Sequence, residues 1–337
     1  MHFNHASTAL SWGRRFSREP GDTMKTVSQL VDLVQDRMNG GRDAAAVERL
    51  PDPVEAAIKG QRFSEFDLEY DAAKKILFCY FKYAGRPCFT PGLLREAQAI
   101  QRLVRGLFGD RVIGEPPLRY MVLGSRAKNV WNLGGDLELF STLIRNRDRA
   151  ALRRYAHTCC EVGFTNATGL GFDLPVISVA LIQGDALGGG FEAALSSNLI
   201  VAERGAKFGL PEILFNLFPG MGAYSFLARR IAPGIAERLI MSGEIYSAEQ
   251  LHAMGVVDVL AADGKAVQAF YDFIGRKERR YSAQRALYRA RRLVNPVTFE
   301  EMTRIADLWV EAAFKLDESD LKRMERLVAA QDRRVPA

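Results

Sequence analysis

Three consecutive glycines followed by a carboxylate constrain this chain more than any other feature. Residues 188–190 are all glycine, follow the apolar run 176–182, and precede the helix-compatible stretch 191–197. Glycine lets the main chain approach a ligand closely, and the free N–H groups at a helix start favour negative charge. The pattern therefore predicts a strand-to-helix turn that binds a developing oxyanion, with Glu192 on the first turn of the helix.

A second acid and a second glycine cluster extend this prediction. Glu212 comes 20 positions after Glu192, and two carboxylates are suited to general acid and base work. The other cluster is Asn132-Leu133-Gly134-Gly135-Asp136. One interpretation is a loop that ends at an Asp helix cap. The other is that the Leu133 N–H and the Gly189 N–H form a two-donor oxyanion hole.

The glycine triplet also fits a dinucleotide-binding fingerprint in a formal sense. Gly188, Gly190 and Ala193 occupy the three small positions, and acids follow about twenty residues later. Glu192 would then lie where a pyrophosphate approaches, which is electrostatically unfavourable. We therefore favour a thioester carbonyl as the ligand, and a tight turn without a functional role is the remaining interpretation.

Composition describes an ordinary globular protein. The chain has 337 residues, of which 48% are hydrophobic, and its longest apolar runs are shorter than a membrane span of about 20 residues. The N-terminal residues lack the apolar stretch of a secretory signal, so we expect a cytoplasmic protein. The net charge of +6 is compatible with nucleic acid, an acidic carrier protein or a phosphorylated cofactor.

The few cysteines and histidines do not suggest a metal site. Four residues of each type are present, without the spacing that metal ligands require. Cys159, Cys160 and His157 lie in a segment expected to be helical, where we expect structural roles. We expect neither a metal nor a resident cofactor.

The patterns along the chain predict three regions. Residues 1–60 read as an N-terminal extension that is partly disordered. Residues 61–260 alternate short β-branched runs with helical segments, which is typical of an α/β core. Residues 261–337 carry apolar side chains at spacings of three and four, so the C-terminal region is predicted to be helical.

The motifs and their order resemble the crotonase superfamily of enoyl-CoA hydratases and isomerases over roughly residues 66–260. In that family an A-G-x-D loop and a G-G-G-x-E turn supply the two N–H donors, and a P-E-I follows. These correspond here to 133–136, 188–192 and 211–213. Further segments that fit the family are Arg86-Pro87, Phe218–Gly222, Met241–Ala248 and Gly255–Asp258.

The resemblance implies a fold, a site and a reaction. The fold would be α/β, a spiral of repeated ββα units with a C-terminal helical region. Glu192 and Glu212 would be the catalytic acids, with Glu212 taking the α-proton and Glu192 protonating the leaving hydroxyl. The substrate-binding residues would be Gly134, Leu187, Gly188, Met221, Trp309 and Leu327, although Leu187, Met221, Trp309 and Leu327 are each more often explained as core.

Some departures from the hydratase pattern narrow the resemblance. Leu133 replaces a small residue, and the segment 215–230 reads FNLFPGMGAYSFLARR. These features look like the synthases of diffusible signal factors, the RpfF-type enzymes of quorum sensing. By that resemblance the chain dehydrates a 3-hydroxyacyl chain on acyl carrier protein and hydrolyses the thioester, which releases a cis-2-unsaturated fatty acid. The alternatives are a conventional enoyl-CoA hydratase and a non-catalytic binding protein.

Partners are predicted from charge and from the resemblance. The basic run 276–280 continues through Arg285, Arg289, Arg291 and Arg292, and it is either a solvated helix face or a docking surface for the carrier or CoA. The family implies a homo-trimer or hexamer and permits a regulatory sensor protein. No RNA-recognition motif is present, so no nucleic-acid partner is expected.

Overall fold

Two β-sheets organise the computed structural model, which describes residues 52–108 and 115–332. The strands are β1 (Phe66–Asp71), β2 (Ile76–Phe81), β3 (Tyr120–Ser125), β4 (Val130–Asn132), β5 (Ile177–Ile182), β6 (Asp185–Leu187), β7 (Leu199–Glu203), β8 (Lys207–Gly209), β9 (Ile245–Ser247) and β10 (Val259–Ala261). The larger sheet has the order β1-β2-β3-β5-β7-β10, and the smaller one has the order β4-β6-β8-β9.

The helices follow the strands in a repeating pattern. They are α1 (Pro53–Ile58), α2 (Pro91–Gly106), α3 (Leu137–Arg145), α4 (Arg149–Ala167), α5 (Gly189–Leu195), α6 (Ala223–Leu227), α7 (Pro233–Ser242), α8 (Ala248–Ala253), α9 (Ala266–Arg276), α10 (Tyr281–Val294), α11 (Phe299–Ala313) and α12 (Glu318–Asp332). A long strand in the large sheet, a short strand in the small sheet and a helical segment recur as β3-β4-α3 and β5-β6-α5. A third copy, β7-β8, ends in the 3₁₀ turn Pro211–Phe215.

Most strand pairs of the large sheet are parallel, and this explains their composition. Only β1 and β2 pair antiparallel, while β2-β3, β3-β5, β5-β7 and β7-β10 are parallel. Every residue of β2, β5 and β7 is buried. Parallel strands covered on both faces need continuous apolar runs, which is the pattern that the sequence shows for these segments.

Alternate residues of each strand enter different hydrophobic cores. On β2, Leu77, Cys79 and Phe81 face the larger core, and Ile76, Phe78 and Tyr80 face the smaller one. The larger core lies under α2, α4, α5 and α11. The smaller core lies under α9 and the start of α10. The functional glycines and acids belong to segments that border the larger core.

Side-chain caps fix the starts of the helices that border this core. The Thr90 hydroxyl accepts a hydrogen bond from the Leu93 N–H (3.1 Å), with Pro91 at the first helical position. Asp136 caps α3 through the Leu139 N–H (3.1 Å). The Asp helix cap that the sequence offered at 136 is confirmed.

The C-terminal helical region is confirmed, and two of its helices pack on the core. Helix α11 lies against α4, where Arg153 forms two hydrogen bonds with Asp307 (2.7 and 2.8 Å). Helix α12 lies against α3, joined by an ion pair between Arg145 and Glu318 (2.8 Å).

The mixed α/β fold is confirmed, while the predicted extension at residues 1–60 lies outside the described residues except for 52–60. None of the helices in the described part combines the length and apolar character needed to cross a membrane.

Helix α5 contacts β4 so closely that one position requires glycine. A Cβ added at Gly190 would lie 2.2 Å from the Asn132 carbonyl oxygen, whereas a Cβ at Gly275, in α9, would meet nothing within 4 Å. We expect Gly190→Ala to lower the free energy of unfolding by about 2 kcal/mol or more, because the helix must move away from the strand. Gly275→Ala, the matched control, should raise it by up to about 1 kcal/mol. Urea denaturation of both variants checks this, and equal effects would contradict it.

Candidate active site

The two glycine clusters meet main chain to main chain. A Cβ on Gly134 would lie 2.9 Å from the Leu187 carbonyl oxygen and 3.0 Å from the Gly189 nitrogen. Gly134 and Gly188 also have φ angles of 102° and 52°, in a region that favours glycine. The structure therefore brings together the two loops that were predicted to form the oxyanion hole.

The hydrogen-bond pattern of the first loop differs from the prediction at one position. The Leu133 N–H donates to the Pro87 carbonyl (2.7 Å), so its proton is directed away from Gly189. The reason is that residues 87–89 run beside the loop like an added strand, with the Phe89 N–H donating to the Gly134 carbonyl (2.8 Å). The predicted role of Leu133 therefore requires the bond to Pro87 to break when substrate binds.

Gly135 offers an alternative donor in this structure. Its nitrogen lies 3.3 Å from the position of a Cβ on Gly189. Among the hydrogen bonds of residues 52–108 and 115–332, none uses the Gly135 N–H. Gly189 is the first residue of α5, where helix geometry leaves the N–H without an intrahelical acceptor. Gly135 and Gly189 thus present two main-chain donors at the junction of the loops.

A buried asparagine holds the first loop in this shape. Asn132 is fully buried, and its Oδ1 accepts a hydrogen bond from the Gly134 N–H (2.8 Å). Its Nδ2 donates to the Tyr83 hydroxyl (3.0 Å), which in turn donates to the Trp131 carbonyl. Because the Gly134 N–H is taken by Asn132, the next peptide N–H, that of Gly135, is the one left to face Gly189.

Glu192 is buried and held in place by main-chain donors. Its Oε1 accepts hydrogen bonds from the N–H groups of Met221 (2.8 Å) and Ala223 (2.9 Å), and 4% of the residue is exposed. Burial raises its pKa to about 7, and the two N–H groups oppose that rise because they stabilise the carboxylate. Glu192 is therefore rigidly positioned and titrates close to neutral pH.

Glu212 approaches the same glycine turn from the 3₁₀ turn after β8. Its Oε1 lies 2.8 Å from where a Cβ on Gly188 would be, and its Oε2 is buried without a hydrogen-bond partner. Burial, and then the negative charge of Glu192, raise its pKa to about 8. A carboxylate against Gly188 occupies the approach that a pyrophosphate would need, which argues against the dinucleotide interpretation.

Two cavities reach Glu192. The smaller, of about 30 Å³, is lined by both glutamates together with Gly135, Gly189, Met221 and Trp309. The larger, of about 80 Å³, begins at Gly135, Gly189 and Glu192 and is mostly apolar. The side chains that continue it include Phe66, Cys79, Phe81, Leu94, Ala97, Ile100, Met121, Leu123, Tyr155 and Cys159.

The predicted acyl-pocket residues divide between these cavities and their surroundings. Met221 lines both cavities, and Trp309 lines the smaller one. Leu187 and Leu327 line neither of the two: Leu187 is half-buried beside Gly209, and Leu327 packs at the edge of the larger core. The side chains of these two residues lie outside the space that adjoins the carboxylates.

Several residues of the site were not predicted. Cys159, expected to be structural, lines the larger cavity, whereas His157 on the same helix pairs with Asp307 (2.8 Å). The Tyr155 hydroxyl donates to the Phe89 carbonyl (2.5 Å) and supports the strand-like segment beside Gly135. An apolar periodicity on α4 was the available signal, but it does not distinguish a cavity wall from a filled core.

Comparison with known proteins identifies the fold of this chain. The family model described as enoyl-CoA hydratase/isomerase matches residues 113–280, about half of the chain. A solved enoyl-CoA hydratase from Bacillus halodurans aligns with a TM-score of 0.63 and 20% identity over 78% of this chain and 100% of its own. The chain has the crotonase fold. The family match supports the enoyl-CoA hydratase/isomerase superfamily within that fold.

Further comparisons give a second solved structure of the same fold and sequence relatives that match in part. Pseudomonas aeruginosa DspI has the same fold, with a TM-score of 0.56 and 21% identity over 86% of this chain and 100% of its own. Sequence relatives include the 2,3-dehydroadipyl-CoA hydratase of Escherichia coli K12 (40% identity, 27% of this chain) and a carnitinyl-CoA dehydratase of Salmonella heidelberg (34% identity, 32% of this chain). The matched segments span 36% and 41% of those relatives.

The raised pKa of Glu212 predicts how stability depends on pH. The unfolded state loses the proton near pH 4.5 and the folded state only near pH 8, so the free energy of unfolding should fall as pH rises between these values. We expect Glu212→Gln to remove this loss, so that its free energy of unfolding is higher than that of the wild type by about 5 kcal/mol above pH 8 and nearly equal to it below pH 4.5. Urea denaturation across this range measures it.

The control for this experiment is an exposed glutamate. The Glu300 side chain is 80% exposed, so Glu300→Gln should leave the pH dependence of stability unchanged. A wild-type protein whose stability is flat between pH 5 and pH 8 would show that Glu212 is ionised and solvated in the folded state.

The hydrogen bond from Gly134 to Asn132 predicts a defect in oxyanion binding. We expect Asn132→Ala to weaken binding of the enolate form of acetoacetyl-CoA by about tenfold or more, because the Gly135 N–H loses its fixed direction. Near-ultraviolet absorbance of the enolate measures this directly. Tyr281→Phe, which deletes a buried hydroxyl bonded to the Pro175 carbonyl (2.8 Å) in the other core, is the matched control and should bind normally. Equal enolate binding by Asn132→Ala and the wild type would show that Asn132 does not set the donor direction.

Proposed function

We propose that this protein dehydrates a 3-hydroxyacyl thioester and then hydrolyses it, which releases a cis-2-unsaturated fatty acid. One observation carries the proposal: two carboxylates of raised pKa share a cavity with the main-chain donors of Gly135 and Gly189. A mostly apolar cavity begins at the same place and suits an alkyl chain. Dehydration of an acyl thioester needs these three components: main-chain N–H donors for the thioester oxygen, acids for proton transfer, and an apolar cavity for the alkyl chain.

The donors explain the first step. Hydrogen bonds from two N–H groups to the thioester oxygen stabilise the enolate and so acidify the α-carbon. Loss of the α-proton and of the 3-hydroxyl, as water, then forms the 2,3 double bond. The step requires a base for the α-proton and an acid for the leaving hydroxyl, both active near neutral pH.

The glutamate pair supplies that base and that acid. With pKa values raised to about 7 and about 8, the pair holds between one and two protons at pH 7, so an acid and a base are both present. The sequence-based assignment gave the α-proton to Glu212, whereas the hydrogen bonds from Met221 and Ala223 favour the charge on Glu192 at rest. We therefore assign the two roles to the pair as a unit.

The hydrolytic step uses the same donors. Water adds to the carbonyl carbon, the oxygen becomes a tetrahedral oxyanion in the hole, and the carrier thiol leaves with a proton. A glutamate that binds the water would act as its base. The support for this step is the likeness of segments 132–137 and 215–230 to the synthases of diffusible signal factors.

The carrier is proposed to be acyl carrier protein, with CoA as the alternative. Arg285, Arg289 and Arg291 lie on the exposed basic helix α10, which suits an acidic partner. The named relatives act on CoA thioesters, which supports a thioester of either carrier. A homo-trimer or hexamer and a regulatory sensor protein belong to the same proposal.

A direct assay separates this function from a conventional enoyl-CoA hydratase. Incubation with 3-hydroxydodecanoyl acyl carrier protein should yield free cis-2-dodecenoic acid, detected by mass spectrometry. Glu192→Gln and Glu212→Gln should each lower the rate by about 100-fold or more, because each removes one proton-transfer group. Glu300→Gln should retain the wild-type rate.

Each contrary result of this assay would indicate a different function. Hydration of a short trans-2-enoyl-CoA with no free acid from the carrier substrate would indicate a conventional hydratase. Binding of both thioesters without turnover of either would indicate a crotonase-fold binding protein.

A further inference from the structure

The larger cavity has a direction that the order of the strands defines. It starts at Gly189 and Glu192 on α5, passes Met121 and Leu123 on β3, and continues past β2 to Phe66 on β1. These strands are neighbours in the order β5-β3-β2-β1. The cavity therefore crosses one face of the large sheet from its centre to its edge.

Phe66 stands at the edge of the sheet and closes the cavity. It is 4% exposed, and its ring packs against Phe81 with centroids 5.3 Å apart. Phe66 also lines a separate outer cleft of about 230 Å³. The other residues of that cleft are mostly polar or charged: Ile58, Gln61, Arg62, Phe63, Asp67, Leu68 and Lys82. One aromatic ring thus separates an apolar cavity from a polar one.

We propose that Phe66 is the stop that sets the length of the acyl chain. The inference rests on the proposed function, because it places the thioester at Gly135 and Gly189 and the methyl end of the chain against Phe66. A chain that is too long would have to displace the Phe66 ring and bring its methyl end beside Gln61, Arg62, Asp67 and Lys82, where polar and charged groups disfavour it.

Strand spacing gives the length of the chain. The lining strands β3, β2 and β1 are two strand intervals apart, which at about 4.8 Å each is about 10 Å. An extended chain advances about 1.2 Å per bond, so this span accepts about eight carbon atoms beyond the three reacting carbons beside Gly189 and Glu192, about a dozen in all. The substrate class is therefore a medium-chain acyl thioester rather than a short one.

The other side of the cavity is less suited to an alkyl chain. Asn166 and Ser196 line it there and bond to each other (2.8 Å), and Gln101 donates to the Val162 carbonyl (2.9 Å). These hydrogen bonds place polar groups on that wall of the cavity. The branch toward Phe66 is lined by Cys79, Phe81, Leu94, Ala97 and Ile100, and it is the one that an alkyl chain prefers.

Calorimetry with saturated acyl-CoA thioesters of about eight to about sixteen carbons tests the stop without requiring turnover. We expect wild-type affinity to peak near twelve carbons and to drop for longer chains. Phe66→Ala should move the peak to longer chains and raise the affinity for a chain two carbons beyond the wild-type optimum by about tenfold or more. Phe66→Trp should move the peak to shorter chains.

Phe63→Ala is the matched control, because Phe63 lines the outer cleft but not the inner cavity. It removes the same volume and should leave the chain-length profile unchanged. Phe66 variants that fold and keep the wild-type profile would overturn the proposal, and so would a shift as large in Phe63→Ala. If Phe66→Ala does not fold, the chain-length profile of Phe66→Trp tests the proposal by itself.

The same variants distinguish the proposed function from the proposed role of Phe66. A normal chain-length response in binding, with no free acid in the carrier-protein assay, would overturn the proposed function but keep Phe66 as the stop. Release of free acid, together with a chain-length profile that the Phe66 variants do not change, would support the proposed function but overturn the role of Phe66.

Discussion

The close approach of two stretches of main chain is the constraint on which the site depends. Gly134 lies so near Leu187 and Gly189 that a methyl group between them has no room. Gly190 lies even closer to the Asn132 carbonyl. Because all these contacts join backbone to backbone, only glycine allows them, and they bring Gly135 and Gly189 to the same cavity. The rest of the fold holds these two loops together.

Burying two carboxylates beside that point has an energetic cost that the protein does not fully offset. Glu192 receives two hydrogen bonds, but Glu212 Oε2 has none, and both pKa values rise toward neutrality. A structure selected for stability alone would not keep an unsatisfied acid here. The cost is explained if the acids must exchange protons at physiological pH, since functional sites are where such shifts are concentrated.

The sequence predicted the elements and the chemistry, but not the layout of the cavity. Hydrophobic patterns predicted an α/β core and the apolar run 176–182 that forms β5, and the motifs pointed to Glu192 and Glu212. The structure places both acids on one cavity. It also engages the Leu133 N–H with Pro87 and leaves Leu187 and Leu327 outside both cavities that reach Glu192. Motif spacing does not report which N–H is already bonded.

The sequence by itself determined an α/β chain with two glycine turns and two acids, because periodicity and glycine are local properties of the backbone. Only the tertiary structure decided that Asn132 accepts a hydrogen bond from the Gly134 N–H, and that Phe66 lines both an apolar cavity and a polar cleft. Those relations join residues distant in sequence, and they depend on how strands pair and helices pack. A buried aromatic side chain has the same local signature whether it fills a core or ends a cavity.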